Sequence, residues 1–225
     1  MRLMALAALF LPMLAAPAAA EQAPAAPSPA VAPPLTPENT WHLDLSTGGR
    51  VSIQLRPDVA PLSVERIKTL TRRGFYNGLA FHRVIEGFMA QGGDPKGDGT
   101  GGSDLPDLKA EFNALPHMRG TVAMARADNP DSANSQFFIM LLPKFSLDNN
   151  YTAFGRVVSG MNFVDAIEKG EPPANPSRII QASIGADNRP PPPPGAVASP
   201  PATVSADVPA LPSKPPVPAT TDQPK

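Results

Sequence analysis

The sequence has no cysteine, which excludes a disulfide framework, a thiolate metal site and lipid attachment at a mature N-terminal cysteine. It has little net charge, formally -1 at pH 7, and only three histidines. Because such a charge balance implies no basic patch, we do not expect nucleic acid as a partner. The sequence also lacks an uninterrupted apolar run of the roughly 20 residues that cross a bilayer.

Residues 1–20 have the layout of a secretory signal peptide. Arg2 precedes an apolar stretch from Leu3 to Leu14, and small residues end at Ala20. We predict cleavage between Ala20 and Glu21. The alternative is a membrane anchor, but about a dozen apolar residues interrupted by proline are too few to span the bilayer. We therefore expect an exported, periplasmic protein without stable membrane insertion.

Prolines are unusually frequent, 31 in 225 residues, and they concentrate at the two ends. Pro-rich ends with few aromatic residues cannot bury enough apolar surface to offset the entropy of the chain. We therefore predict an Ala/Pro-rich linker at residues 21–38 and a Pro-rich disordered tail at residues 188–225. Residues 39–187 between them form the predicted folded domain, of ordinary size.

The domain alternates between short apolar runs and turn residues, which is typical of antiparallel β-structure. Two runs joined at Thr47-Gly48-Gly49 predict a β-hairpin. Apolar residues at helical spacing predict helices over residues 62–73 and 161–168. Further strands are predicted at residues 80–85, 88–91, 121–126, 136–142, 153–158 and 178–184. Many short strands with two helices favour an antiparallel barrel over alternating βαβ units.

Two stretches contain the strongest candidates for functional residues. Residues 81–94 read FHRVIEGFMAQGGD and place Arg83 close to apolar side chains, while residues 135–142 read SQFFIMLL. Together they predict an apolar pocket with a guanidinium at its edge. An isolated strand arginine would more often pair with an acid such as Glu86 or Glu111, and that interpretation stays open at this point.

Other candidate groups give weaker signals. His82 could be a general base, but no serine or cysteine arrangement accompanies it, so we interpret it as structural. The glycine-rich run at residues 97–102 lacks the lysine and the following helix of a nucleotide loop, and we predict a tight loop at the pocket rim. We expect no metal, although Asp94 and Asp98 could in principle contact a cation.

These stretches carry a family resemblance. Together with GDGTGG at residues 97–102, RGTVAMARA at 119–127 and FGRVVSGM at 154–161, they resemble the cyclophilins in order and spacing over about residues 39–187. The resemblance implies a mainly β fold, a closed eight-stranded antiparallel barrel capped by two α-helices. It also implies a monomeric peptidyl-prolyl cis-trans isomerase with no cofactor, which acts on proline-containing peptides and on unfolded exported proteins as they fold.

The resemblance implies a role for each site residue. Arg83 would be catalytic, and Gln91 and Gln136 would orient it and hydrogen-bond the substrate. The proline ring would enter a cavity lined by Phe88, Met89, Phe138 and Leu147. The peptide would lie against the rim at Gly99 and along the strand edge formed by Ala125, Arg126 and Ala127, in the mode of an added β-strand.

The sequence departs from the common cyclophilin pattern at three positions. Tyr151 stands where many members have a histidine and keeps an aromatic wall, so it belongs to the predicted substrate site. Ser146 stands where many have a tryptophan, and Phe145 is expected to fill part of that space. Arg126 replaces a common asparagine at a contact made mainly through backbone. We expect activity to survive and cyclosporin-type inhibition to weaken.

Two alternatives to an isomerase remain at this stage. The domain could hold proline-containing segments as a chaperone or scaffold, with incidental turnover. The Pro-rich tail could instead be the working part, either as a spacer or as a ligand for another protein. A tail that binds the domain's own pocket is a further possibility.

Overall fold

The computed structural model describes residues 32–193 and 195–196. The predicted signal peptide, most of the linker and the remainder of the tail therefore lie outside the described residues. Within the described part of the chain, neither helix has the length and apolar character needed to cross a membrane.

Eight strands and two α-helices form the domain. The strands are β1 (Thr40–Leu45), β2 (Gly49–Leu55), β3 (Arg83–Ile85), β4 (Met89–Gly92), β5 (Thr121–Met124), β6 (Phe137–Met140), β7 (Ala153–Ser159) and β8 (Ile179–Ile184), and the helices are α1 (Pro61–Arg72) and α2 (Met161–Asp165). The fold is mainly β, as predicted. Helix α2 ends three residues before its predicted end.

The strands form one antiparallel, curled sheet in the order β3-β4-β6-β5-β7-β2-β1-β8. The predicted closed barrel is wrong, because β3 and β8 are edges that share no ladder. The residues that precede β3 contact the start of β8 through an isolated bridge from Ala80 to Arg178 and through backbone hydrogen bonds that join residues 78–81 to residues 177–179. Val84 of β3 exchanges two backbone hydrogen bonds with Gly170 instead, so an irregular segment covers this edge.

The main core lies on one face of the sheet. Trp41 of β1 packs edge-on against Tyr76 and Phe137, with ring centroids 5.4 and 4.9 Å away. Helix α1 contributes a buried stripe of Val64, Ile67 and Leu70, and these are the residues at the helical spacing seen in the sequence. The burial of these apolar side chains is the principal contribution to the stability of the domain.

The alternation of side chains along three central strands produces a second apolar cluster. In β4, β5 and β6, Ala90, Val122, Met124, Phe137 and Ile139 belong to the main core, whereas Met89, Ala123, Phe138 and Met140 belong to a separate buried cluster. Because successive side chains of a strand point to opposite faces, the second cluster lies on the other face of the sheet. This face carries the candidate site.

Candidate active site

Strand register places three predicted site residues, with Ala123 beside them, in one row across the sheet. Arg83 of β3 pairs with Gln91 of β4, Gln91 pairs with Phe138 of β6, and Phe138 pairs with Ala123 of β5. Residues directly opposite one another in antiparallel strands present their side chains on the same face. The sheet therefore brings a guanidinium, an amide and an aromatic ring together from residues up to 55 positions apart in the chain.

The four residues predicted to line the proline cavity belong to the second apolar cluster or pack against it. Met89 and Phe138 are buried, and Phe88, Leu147 and Tyr151 pack against them as half-buried residues. The ring of Phe138 meets Tyr151 edge-on at 5.6 Å. On another side it stacks with His117 at 6.2 Å. Rings held on two sides form a firm apolar surface.

Arg83 stands at the edge of this surface and is about half exposed. Its Nε donates a 2.9 Å hydrogen bond to Glu171, and the pair is 43 and 50 % exposed. The carboxylate on Arg83 is thus neither of the two acids considered from the sequence. Glu111, one of those two, accepts hydrogen bonds from the backbone of Leu62 and Ser63 at the start of α1.

The two amides that were predicted to orient Arg83 bond to each other and to the rim loop. Gln91 Nε2 donates to Gln136 Oε1 at 2.9 Å. Gln136 Nε2 donates to the carbonyls of Gly99 and Gly101 at 3.0 and 2.8 Å. The guanidinium of Arg83 is therefore held by Glu171, whereas the two amides connect strand β4 to the glycine-rich loop.

The glycine-rich loop is built around a buried carboxylate. Asp94 accepts hydrogen bonds from the amides of Lys96 and Gly99, at 2.8 and 2.6 Å. Gly99 has a left-handed φ of 89°, and a Cβ at Gly101 would overlap the Asp94 carboxylate. Asp94 therefore shapes the loop. Among the described residues, no group of three or more His, Asp or Glu side chains could hold a metal ion.

A cavity of about 300 Å³ lies between this loop and the predicted strand edge. Its lining includes the predicted site residues Gln91, Gly99, Ala125, Arg126, Ala127 and Gln136. It also includes Thr100, Asp107, Ser132 and Asn134, which the sequence analysis did not single out. Their closeness in sequence to the glycine-rich run or to residues 125–127 was the signal that could have identified them. They lie in irregular segments, however, where no periodic pattern marks which side chains face the cavity.

Arg126 contacts both walls of the groove through its side chain, beyond the backbone role expected for it. Its guanidinium carbon lies 4.7 Å from the centroid of the Tyr151 ring. Nε and Nη2 donate to the carbonyl of Asn150, and Nη1 donates to the carbonyls of Ala127 and Asp128. The predicted strand edge at residues 125–127 lies after the end of β5 at Met124, and this one side chain ties that irregular segment to Tyr151.

His82 is buried beside the site, with 6 % of its surface exposed. Neither ring nitrogen has a hydrogen-bond partner among the described residues. Burial lowers the pKa of the imidazole below its usual value, and the charge of Asp94 offsets only part of this effect. This environment fits the structural interpretation of His82.

Phe145, next to the position where many cyclophilins have a tryptophan, does not lie where it was expected. Phe145 was expected to fill part of the space of the missing tryptophan, but 59 % of its surface is exposed. Ser146 next to it is exposed as well. Leu147, the following residue, is the one that packs against the apolar cluster.

The sequence also matches a known protein family and several of its members. The family model for cyclophilin type peptidyl-prolyl cis-trans isomerase/CLD matches residues 42–184. A probable peptidyl-prolyl cis-trans isomerase of Brucella suis is 53 % identical over 169 residues, covering 68 % of this chain and 86 % of the relative. Peptidyl-prolyl cis-trans isomerase B of Bacillus subtilis is 40 % identical over 134 residues, covering 59 % of this chain and 92 % of the relative.

Solved structures agree as well. A cyclophilin from Hirschia baltica superposes with a TM-score of 0.63 at 28 % identity, covering 68 % of this chain and 76 % of that chain. A cyclophilin from Cryptosporidium parvum, crystallised in the presence of the dipeptide Ala-Pro, gives a TM-score of 0.61 at 27 % identity, covering 64 and 98 %. This chain therefore belongs to the cyclophilin family of peptidyl-prolyl cis-trans isomerases.

Proposed function

We propose that this isomerase assists the folding of exported proteins by rotating their Xaa-Pro bonds, with Arg83 as its catalytic residue. The observation that supports this role is the row from Arg83 through Gln91 to Phe138, which sets a guanidinium beside a firm apolar surface. The proline ring would rest on Phe138 and Met89. The backbone of residues 125–127 would receive the rest of the peptide as an added strand.

The proposed mechanism follows from the electronic structure of the bond. Amide resonance gives the Xaa-Pro bond partial double-bond character and a rotation barrier of about 18–20 kcal/mol. In the twisted transition state the nitrogen lone pair is released from resonance and can accept a hydrogen bond. A donor fixed over that nitrogen stabilises the transition state more than either planar ground state, which accelerates rotation.

The guanidinium would account for part of the acceleration. A charge-assisted hydrogen bond contributes about 1.5–3 kcal/mol, which corresponds to roughly one to two decades of rate. The rest would come from the apolar cluster, which holds the proline while the preceding carbonyl rotates in a poorly solvated site. This mechanism moves no proton and forms no covalent intermediate.

The decisive experiment compares the mature chain with Arg83→Ala in an assay of cis-trans exchange of a short Xaa-Pro peptide. We expect kcat/KM to fall by about one to two decades. Arg73→Ala is the matched control, because Arg73 lies at the C-terminal end of α1 and contacts Asp104 at 3.5 Å. Thermal unfolding of each variant verifies that it is folded.

Wild-type turnover in Arg83→Ala would overturn the assigned role. Peptide binding without acceleration by either protein would favour the alternative of a binding module. The exported location is tested separately, by N-terminal sequencing of the protein recovered from a periplasmic fraction. A chain that begins at Glu21 supports the proposal, whereas an intact Met1 in the cytoplasmic fraction contradicts it.

A further inference from the structure

The contact on Arg83 comes from a tight turn that packs against β3. Gly170 exchanges backbone hydrogen bonds of 2.8 and 2.9 Å with Val84, the residue next to Arg83. Gly170 also forms a bridge with Pro173. Its φ is 146°, and a Cβ there would lie 2.6 Å from the Cα of Pro173. Only a glycine fits this close approach, so the turn is held firmly at its base.

The turn places one acidic side chain on the catalytic candidate. The carboxylate of Glu171 accepts the hydrogen bond from Arg83 Nε at 2.9 Å. Both side chains are about half exposed, and exposed ion pairs contribute little to stability. The contact is therefore poorly explained as a device that stabilises the fold. Its location suggests a role in the reaction.

The geometry of the guanidinium defines what this contact can do. Arginine has five N–H donors in a rigid plane, and Glu171 engages the one on Nε. Among the described residues, no hydrogen bond occupies the four N–H groups on Nη1 and Nη2 of Arg83. A plane that is fixed through Nε would keep these four donors available for the substrate.

We propose that Glu171 is a positioning and charge-selecting residue of the active site. It fixes the plane of the Arg83 guanidinium, and its negative charge disfavours substrates with an acidic residue beside the proline relative to those with a basic one. This inference rests on the catalytic role proposed for Arg83. The substrate class it favours is an Xaa-Pro segment with a neutral or basic neighbour.

The charge part of the proposal is tested with two peptides that differ only in the residue before proline, Glu in one and Lys in the other. Exchange is followed by NMR, which needs no coupling protease. In Glu171→Gln the ratio of kcat/KM for the Glu peptide to that for the Lys peptide should rise by about three- to tenfold at low salt. The rise should shrink in about 1 M salt, where charges on the surface are screened.

Glu168→Gln is the matched control. Glu168 is exposed and lies in the same segment after α2, and the ion pair that Arg83 makes among the described residues is with Glu171, so the variant removes the same charge without removing that contact. Its peptide ratio should equal that of the wild type. An equal rise in both variants would overturn the proposal, because the selection would then reflect net charge alone.

The positioning part is tested by comparing Glu171→Ala with Glu171→Gln, since glutamine keeps an acceptor for Nε. We expect kcat to fall by about two- to fivefold in Glu171→Ala with a smaller change in KM, and to recover in Glu171→Gln. The NMR signal of the Arg83 Nε–H should move in Glu171→Ala and stay close to its original position in Glu171→Gln.

The outcomes distinguish a failure of the role proposed for Glu171 from a failure of the role proposed for Arg83. If the wild type is active and needs Arg83, but the peptide ratio and the Nε–H signal are unchanged in the Glu171 variants, the present inference is wrong and the proposed function stands. If Arg83→Ala is as active as the wild type, both are wrong.

Discussion

At the scale of single residues, Arg126 merits a separate test because its side chain joins the two walls of the candidate groove, residues 125–127 and Tyr151. Lysine at this position would keep the charge but lose the forked donors and the stacking on Tyr151. We expect KM for a short peptide to rise about two- to fivefold in Arg126→Lys, with kcat changed less. Arg73→Lys, at an arginine away from the groove, should leave both constants unchanged.

An equal fall in kcat and in kcat/KM would contradict this expectation. A fall in kcat with constant KM would mean that Arg126 acts in the transition state and not by shaping the groove. Steady-state kinetics with the same peptide distinguishes the two results.

His82 leads to a prediction about stability and pH. Because burial lowers the pKa of His82 in the folded protein, the unfolded chain binds a proton more readily below its ordinary pKa of about 6.5. The free energy of unfolding should therefore decrease as the pH falls from about 6.5 towards the lower pKa of the folded state. Above that window the contribution is fully present.

The measurement is the midpoint of thermal unfolding between about pH 8 and pH 5. His82→Gln should flatten the fall relative to the wild type. Burial lowers the pKa of His42 too, so His42→Gln gives a parallel comparison and accounts for the remaining slope. A His82→Gln protein with the full wild-type slope would show that His82 is not the group responsible.

The predicted apolar site residues lie together in the structure, whereas contacts that depend on distant segments had no signal in the sequence. Phe88, Met89, Phe138, Leu147 and Tyr151 share one cluster. Alternation within a strand accounts for Met89 and Phe138, whereas Phe88, Leu147 and Tyr151 lie outside the strands and were grouped with them through the family resemblance. The partner of Arg83 is 88 residues away, and no periodicity connects a strand to a later turn.

At the scale of elements, α1 shows how a local pattern and a distant contact combine. Helical spacing placed it at residues 62–73, and it spans Pro61–Arg72. Its N-cap residue, Ala60, offers no side-chain hydrogen bond. Glu111 caps the helix from outside, accepting from the amides of Leu62 and Ser63 at 2.8 Å each. The helix could be predicted from the sequence, but the residue that caps it could not, because that residue lies 48 positions away from Ser63.

This cap predicts a loss of stability without a loss of chemistry. In Glu111→Ala the first amides of α1 lose a charged acceptor at the positive end of the helix dipole, which should cost about 1–2 kcal/mol. The midpoint of thermal unfolding should fall by about 2–8 °C, while kcat/KM at a temperature where the variant is folded stays unchanged. Differential scanning calorimetry provides the comparison.

Glu65→Ala is the control for that experiment. Glu65 lies on the exposed face of the same helix, 70 % exposed, and contacts only the side chain of Lys68 at 3.7 Å among the ion pairs of the described residues. Its removal should change the midpoint little. A comparable fall in both variants would show that net charge, and not capping, is the cause.

At the scale of the whole molecule, the sequence predicted the number of strands but not how the sheet ends. Each strand has a local pattern, whereas closure requires that the first and last edges meet with matching register. Here β3 is only three residues long, and Gly170 takes the hydrogen bonds of Val84. An irregular segment with its own turn thus occupies the place where a ladder would close the barrel.

The beginning of the tail is part of the domain surface, which yields the last prediction. Arg50 Nη2 donates to the carbonyl of Arg189 at 3.2 Å, and Gln181 Nε2 donates to the carbonyl of Pro190 at 3.0 Å. Prolines 191–193 line a cavity of about 200 Å³ against the β1–β2 hairpin. A chain truncated after Ala196 keeps all of these contacts, whereas one truncated after Asn188 loses them.

We therefore expect truncation after Ala196 to leave the unfolding midpoint and kcat/KM at their wild-type values. Truncation after Asn188 should lower the midpoint by about 1–4 °C, because it removes exposed hydrogen bonds that contribute about 1 kcal/mol each at most. Neither truncation should change KM for a short peptide. A lower KM on removal of residues 197–225 would contradict this and would mean that the tail competes for the substrate groove, since a tethered proline segment acts at high effective concentration.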